Sequence, residues 1–214
     1  MSRKIKILIA DDHAVVRRGL TQIISEASDF ELVGIAEDGV EALSKAQELE
    51  IDVLLLDYDM PGKNGLDVLA QVKSIKPRLS VIILSIFPEE HYGARFLKAG
   101  ASGYLGKSAA PEQLVEAVRK VAGGGTYIGS ALADKLVFEL KGEKEGAPHE
   151  RLTDREFQVF YRIATGKKLK DIADELAISI NTVSTYRSRV LDKLDLKSNA
   201  DLIHYALRNH LIGG

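Results

Sequence analysis

Between Lys4 and Ala122 the chain alternates, five times over, a short apolar run with a segment whose apolar residues recur at helical spacing. That is the pattern of βαβ units, in which a buried parallel strand is followed by a helix laid back across the sheet. Strands are expected near 4–10, 31–36, 52–57, 80–85 and 102–105, and helices near 13–26, 39–49, 64–74, 89–99 and 111–121. Pro111 suits the first turn of the last helix, and Gly65, Pro77 and Gly100 fall where connections are needed. Five strands and five helices in strict alternation predict a flavodoxin-like doubly wound α/β domain.

Open parallel sheets place their sites just beyond the carboxyl ends of the strands. Here those ends carry reactive side chains. KILIA runs into Asp11-Asp12, and VLLLD ends in Asp57 ahead of a sharp Met60-Pro61-Gly62 turn. VIILS ends in Ser85, and SGYLGK ends in Lys107. Any one of these alone is read as an ordinary strand-end residue; the ordered set points to one pocket. Three aspartates held close repel one another and raise their pKa values unless a cation sits among them, and an oxygen-only cluster suits Mg²⁺. Asp57, Ser85 and Lys107 would then offer a nucleophile, a hydroxyl donor and a fixed positive charge around one phosphoryl group.

The 214 residues suffice for two small domains, and the charge distribution favours that division, with net −4 over residues 1–147 and net +2 over 148–214. This basicity is too modest to identify a nucleic-acid binder by itself. Cysteine is absent, which excludes disulfides, thiol catalysis and cysteine-ligated zinc. The basic MSRKIKILIADD start ends its apolar run in aspartates where a signal peptide would continue, and no apolar stretch approaches the ~20 residues that span a bilayer. A cytoplasmic protein with no membrane partner is expected. His13, His91, His204 and His210 form no metal spacing and are read as surface or core histidines.

The expected domain boundaries are 1–122, a linker over 123–150, and 151–214. Within the linker, Gly123-Gly124-Gly125 precedes SALADKLVFEL (130–140), which reads as an amphipathic helix with Leu132, Leu136, Val137 and Leu140 on one side. The charged KGEKEGAPHE stretch (141–150) is expected to be a mobile connection. From Arg151 the periodicity is helical to the end. Thr153 and Glu156 make a capping box, and Lys170 to Leu176, a connection at Ala177-Ile178-Ser179 and a helix from about Ile180 to Leu194 form a helix-turn-helix. A last helix is expected from about Asn199 to Asn209.

On a helical wheel Val183, Val190 and Leu194 face the core, whereas Asn181, Thr185, Ser188, Arg189 and Ser184 lie on the other side. Thr182, at the start of the same helix, joins them as a candidate DNA contact. Small polar residues with an arginine can approach base edges and phosphates closely. Arg189, Lys193 and Lys197 are candidate phosphate contacts, whereas Arg187 falls near the core side and is expected to pair with Glu156. Leu202, Ile203, Ala206 and Leu207 of the last helix form a stripe suited either to a homodimer contact or to packing within the domain.

The segment from Lys4 to Ala122 resembles the receiver domain of two-component response regulators. That resemblance implies Asp57 as phospho-acceptor, Asp12 as a direct Mg²⁺ ligand, Asp11 as a ligand through water and the Asp59 backbone carbonyl as the third protein ligand. It also implies Ser85 as switch hydroxyl, Lys107 as phosphate-binding lysine, Tyr104 as switch aromatic and a sensor histidine kinase as partner. Tyr104 is expected to turn inward when phosphorylation draws Ser85 toward Asp57. Leu152 to Ile212 resembles the LuxR-type helix-turn-helix domain through LTDRE, Gly166, DIADEL, ISINTV and KLDLKS. The whole chain is thus similar to NarL/FixJ-family response regulators that bind double-stranded DNA as homodimers. It departs from the family in carrying Ser184 where lysine is frequent and Tyr186 where histidine is usual.

Two other classes were weighed. Asp57-Tyr58-Asp59 also looks like the DxD motif of haloacid-dehalogenase-type phosphatases, although there the motif usually ends the first strand and the second carboxylate pair comes late; here the pair comes first. The other is a constitutive DNA-binding protein with a silent receiver.

Overall fold

The computed structural model describes residues 3–60, 65–140 and 147–212. The chain divides into two compact units, Met1–Lys141 and Gly142–Gly214. The first contains parallel strands β1 (Ile5–Ala10), β2 (Phe30–Ala36), β3 (Val53–Asp57), β4 (Ser80–Ser85) and β5 (Gly103–Gly106), in the order β2-β1-β3-β4-β5. Helices α1 (Ala14–Glu26), α2 (Gly39–Glu48), α3 (Gly65–Ile75), α4 (Glu89–Lys98) and α5 (Pro111–Ala122) each follow a strand. This is the doubly wound α/β arrangement that the alternation predicts.

Every residue of β3 is buried, as a strand covered on both faces requires. Ile7, Ile9, Val53, Leu55, Ile82 and Leu84 pack with Leu20 and Ile24 of α1 and Leu114, Val118 and Val121 of α5. The alternate residues Leu8, Leu54, Leu56 and Ile83 project to the opposite face. Buried residues on that side come from α2 (Leu43), α3 (Val68, Leu69, Val72) and α4 (Phe96). Each such side chain contributes about 1.5–3 kcal/mol on burial. Strand β1 lies between β2 and β3, so the order reverses there and a crevice opens beyond their carboxyl ends. Asp11 follows β1 and Asp57 ends β3, which puts both at that crevice.

Pro61 and Gly62 of the expected turn lie outside the described residues. Just beyond, Gly65 donates its N–H to the Tyr58 carbonyl at 2.9 Å. A Cβ at Gly65 would stand 2.7 Å from Tyr58 Cα and 2.9 Å from the Asp57 carbonyl oxygen. Only glycine lets α3 begin this close to the end of β3.

After α5, the Tyr127 N–H donates to the Ser102 carbonyl at 2.9 Å and Tyr127 bridges to Gly103 in parallel, so the chain continues along the edge of β5. Helix α6 (Ser130–Leu140) then lies against α4. Leu132 is fully buried, Leu136 half-buried and Val137 exposed, so the expected apolar side is not one covered face. The Leu140 side chain and residues Lys141–Gly146 of the expected connection lie outside the described residues.

The second unit opens with a 3-10 turn, Pro148–Arg151, in which His149 is buried and its Nδ1 lies 3.0 Å from the Tyr205 hydroxyl. Residues 148–150 therefore belong to the folded unit and not to a mobile connection. Composition concealed this because an imidazole supplies the packing. Helices α7 (Asp154–Ala164), α8 (Leu169–Glu175), α9 (Ile180–Leu194) and α10 (Asn199–Arg208) follow. The capping box forms, with Glu156 N–H donating to Thr153 Oγ1 at 3.4 Å and Thr153 N–H donating to Glu156 Oε2 at 2.7 Å. Of the α10 stripe, Leu202 and Ala206 are buried inside this unit, Ile203 is half-buried and Leu207 is exposed. The stripe is thus largely domain core. Among the described residues no helix is long and apolar enough to cross a membrane.

Gly65→Ala is expected to destabilise the first unit by about 1–3 kcal/mol, because the clash is with backbone that cannot turn aside. Gly19→Ala, where nothing lies within 4 Å of the added carbon, should stabilise α1 by up to about 1 kcal/mol. Urea unfolding of the full chain, followed through hydrogen exchange in β3, measures both.

Candidate functional site

Asp57 and Asp11 are fully buried, and Asp12 beside them is partly exposed. Lys107, just past β5, places its ammonium 2.7 Å from Asp57 Oδ2 and 2.9 Å from Asp11 Oδ2. The other carboxylate oxygens accept backbone donors. Asp57 Oδ1 takes the Asp59 N–H at 3.0 Å, and Asp11 Oδ1 takes the His13 N–H at 2.8 Å. Arg17 holds the Asp11 carbonyl at 3.0 Å. The pocket is therefore built from the ends of β1, β3 and β5, as the strand-end pattern anticipates.

Two buried carboxylates facing one ammonium leave uncompensated negative charge. Burial pushes the Asp57 carboxyl up to about 7, opposed by Lys107 and reinforced by Asp11. Burial alone would lower the Lys107 pKa, but Asp57 and Asp11 outweigh it and hold the ammonium above its ordinary value. Asp11, Asp12, Asp57 and His13 each bring a ligand atom within 4.8 Å of the others. This donor set, mostly carboxylate oxygen with an excess of negative charge, fits a divalent cation such as Mg²⁺.

His13 is an exposed histidine, as expected, but its ring also borders the pocket: Nδ1 stands 2.5 Å from Asp12 Oδ1 and 3.8 Å from Asp57 Oδ2. The signal was its adjacency to Asp11-Asp12. The His91 side chain lies outside the described residues, and His204 and His210 are exposed.

Ser85 ends β4, the strand next to β3, and is buried with its Oγ accepting the Phe87 N–H at 3.1 Å. Tyr104 of β5 is fully buried and donates its hydroxyl to the Phe87 carbonyl at 2.9 Å. The ring thus already points inward, whereas the sequence reading reserved that rotamer for the phosphorylated state. Its stability here has a visible cause, because Tyr104 packs on Phe96 at 5.5 Å and Phe96 meets Tyr58 edge-on at 5.0 Å. Phe87 and Tyr92 complete this aromatic cluster, which the run-by-run reading missed. Tyr92 and Phe96 share the helical spacing of α4, but Tyr58 follows β3 and Tyr104 belongs to β5.

In the second unit Ser179 caps α9, accepting the Thr182 N–H at 3.0 Å, and its hydroxyl also meets Thr182 Oγ1 at 2.8 Å. Thr182 is thus committed to the cap. Val183, Val190 and Leu194 are buried, and Asn181, Ser184, Thr185, Ser188 and Arg189 are exposed, as the wheel predicts. Thr185 donates to the Asn181 carbonyl at 2.9 Å and Ser188 to the Ser184 carbonyl at 3.2 Å, so these hydroxyls face outward as acceptors.

The charge assignments need correction. Arg187 Nε donates to Asn199 Oδ1 at 2.5 Å, and Glu156 instead takes Lys193 Nζ at 2.6 Å. A wheel gives azimuth but not height. Lys193 lies six residues, about 9 Å, further along α9 than Arg187, level with the start of α7. Burial would raise the Glu156 pKa, but Lys193 and Thr153 hold it below its ordinary 4.5. Lys193 is therefore engaged inside the unit, whereas the Lys197 side chain is exposed. Arg162, also missed, is buried and joins Glu175 of α8 at 3.0 Å.

A doubly wound sheet with an acidic pocket, joined to a helix-turn-helix, defines a signalling receiver coupled to a DNA-binding unit. Residues 7–119 match the response regulator receiver domain, and residues 150–206 match the bacterial regulatory proteins of the luxR family. The chain is 40% identical to the oxygen regulatory protein NreC of Staphylococcus epidermidis over 97% of its own length and 99% of that protein's. It is 34% identical to the response regulator GacA of Pseudomonas aeruginosa over 97% and 98%. Among solved structures, RcsB of Salmonella enterica serovar Typhimurium, bound to a promoter in the presence of the phosphomimetic BeF3⁻, is 26% identical with a TM-score of 0.60, covering 95% of this chain and 98% of that one. The chain belongs to the NarL/FixJ family of response regulators and is a DNA-binding regulator of transcription.

Because the folded Asp57 pKa is about 7 against an ordinary 3.8, the native state binds more protons than the unfolded chain between those values. Without divalent cations, stability of the first unit should fall as pH rises through that window. Asp57→Asn should flatten the dependence, and Mg²⁺ should raise the melting temperature of the wild type more than that of the variant. Thermal scans from pH 4 to 8, with and without Mg²⁺, check both.

Proposed function

We propose that Asp57 accepts a phosphoryl group from a sensor histidine kinase and that the resulting acyl phosphate controls binding of α9 to double-stranded DNA. The observation that carries this is the buried Asp57 carboxylate at the carboxyl end of β3, 2.7 Å from the Lys107 ammonium. In the transfer, an Asp57 carboxylate oxygen attacks phosphorus, the P–N bond of a phosphohistidine breaks and the imidazole leaves to take a proton. Lys107 offsets the charge carried by the phosphoryl oxygens, and the Ser85 hydroxyl donates to one of them. Asp11, Asp12, Asp57 and the Asp59 backbone carbonyl hold Mg²⁺, which supplies further charge neutralisation to the phosphoryl oxygens. The protein is modified once per chain and returns to its starting state by hydrolysis; it is not a turnover enzyme. Membership of the receiver family supports this reading over the phosphatase one.

For DNA, Asn181, Ser184, Thr185, Ser188 and Arg189 present the exposed face of α9, with Thr182 at its capped start, and Arg189 and Lys197 meet phosphates. Lys193 joins them only by exchanging Glu156 for a phosphate. A homodimer would place one α9 on each half of an inverted repeat. The RcsB–DNA complexes of 25–26% identity support DNA binding by a chain of this kind. A cytoplasmic location follows from both partners.

Intact-mass spectrometry after treatment with acetyl phosphate and Mg²⁺ should show one added phosphoryl group, absent in Asp57→Asn; no addition to the wild type overturns the reading. Equal DNA affinity of labelled and unlabelled protein would instead favour a silent receiver. Arg189→Ala should reduce the salt dependence of duplex binding by about one unit of log–log slope, measured by fluorescence anisotropy. The Asp59 side chain adds negative charge two residues from the acceptor, and Asp59→Asn should change the acyl-phosphate half-life several-fold; an unchanged half-life rules that charge out.

A further inference from the structure

The segment that follows α5 is seated on the same part of the first unit that holds the switch residues. Gly129 donates its N–H to Glu89 Oε1 at 2.6 Å, and Glu89 opens α4. One turn further along α4, Gly93 makes room for α6. A Cβ there would overlap Leu132 Cδ2, and Leu132 is fully buried. Gly129 is equally tight, since a Cβ would overlap the Glu89 carboxylate.

Ser85, Phe87 and Glu89 lie within five residues and each carries one tie. Ser85 Oγ accepts the Phe87 N–H at 3.1 Å, the Phe87 carbonyl accepts the Tyr104 hydroxyl at 2.9 Å, and Glu89 accepts the Gly129 N–H. The Phe87 ring is locked against Tyr58 at 5.4 Å and against Tyr92 of α4 at 5.3 Å. Closely packed side chains of this kind move together or not at all. A phosphoryl group drawing the Ser85 hydroxyl toward Asp57 pulls Oγ away from the Phe87 N–H and displaces the loop that carries Glu89.

We propose that Ser85–Glu89 is a strap coupling the phosphorylation pocket to α6: phosphorylation of Asp57 breaks the Glu89–Gly129 tie and unseats α6 from α4. This rests on the reading of Asp57 as phospho-acceptor. Once α6 leaves α4, the stretch no longer seated on the first unit extends back from Leu140 to the Tyr127 N–H, which stays tied to the Ser102 carbonyl. Glu89 acts as a positioning residue, because it touches the linker and not the phosphoryl group.

The test is hydrogen exchange by mass spectrometry on the full chain, with amides 130–137 compared before and after labelling by acetyl phosphate and Mg²⁺. Labelling should speed their exchange at least roughly tenfold, while amides of β3 stay protected. Glu89→Ala and Gly93→Ala should show the faster exchange without any phosphodonor, yet accept phosphate on Asp57 within twofold of the wild-type rate. Gly93→Ala raises the helix propensity of α4, so its effect on α6 cannot arise from a melted α4. Unchanged exchange at 130–137 in labelled wild type, or wild-type protection in both variants, overturns the strap. The wild-type comparison decides even if a variant fails to fold. Labelled Asp57 with unchanged α6 sinks this inference alone, whereas absence of label sinks the phosphorylation reading beneath it.

Discussion

Two buried carboxylates, Asp11 and Asp57, share one ammonium, and much of the first unit exists to hold that imbalance in place. Burying an unpaired charge is far costlier than burying a paired one. Lys107 bridges both acids within 2.9 Å, and backbone donors from Asp59 and His13 satisfy their other oxygens. One negative charge still lacks a counterpart, and burial, opposed by Lys107 and reinforced by Asp11, raises the Asp57 pKa to about 7. On the function proposed here, a divalent cation and a phosphoryl group on Asp57 would restore balance together. The apolar sheet interior keeps water away and magnifies every such interaction.

Phe87 ties the buried Ser85 to the rest of the first unit. Phe87 receives the Tyr104 hydroxyl on its carbonyl and gives its N–H to Ser85. Around it the rings of Tyr58, Tyr92, Phe96 and Tyr104 form a packed body reaching from β3 to α4 and β5. Motion at Ser85 is therefore carried outward by contact and not dissipated in a loose loop. With Tyr104 already inward, rotation of that ring is not the moving part in this arrangement. On the strap proposed above, the loop between β4 and α4 takes that role.

The DNA-facing unit solves a different problem, which is to keep a short helix bundle rigid while leaving one face bare. Its internal charges are spent on bracing: Glu156 joins Lys193 and the Thr153 cap, Arg162 joins Glu175, and Arg187 joins Asn199. Apart from Ile180, Tyr186 and Asp192, what remains on α9 is small and polar, with Arg189 as its cation. Thr185 and Ser188 donate their hydroxyl protons to the helix and keep lone pairs for outside donors, such as the amino groups of bases. Exposed Ser184, where the family often carries lysine, makes this face less basic and more dependent on close approach.

The strand and helix spans, the strand-end aspartates, Ser85, Lys107, the Thr153–Glu156 box and the core face of α9 were all legible in the chain, because each depends on local periodicity or on a short motif. Tertiary structure decided the rest. Local sequence does not encode where a neighbouring helix crosses, so Lys193 and not Arg187 reached Glu156. Nor does it encode proximity between distant segments, so the aromatic cluster and the seat of α6 on α4 emerged only on folding. His149 shows the same limit, as its burial depends on Tyr205, far along the chain. Periodicity reports which side of an element is apolar; which partner that side meets is set by packing of the whole unit.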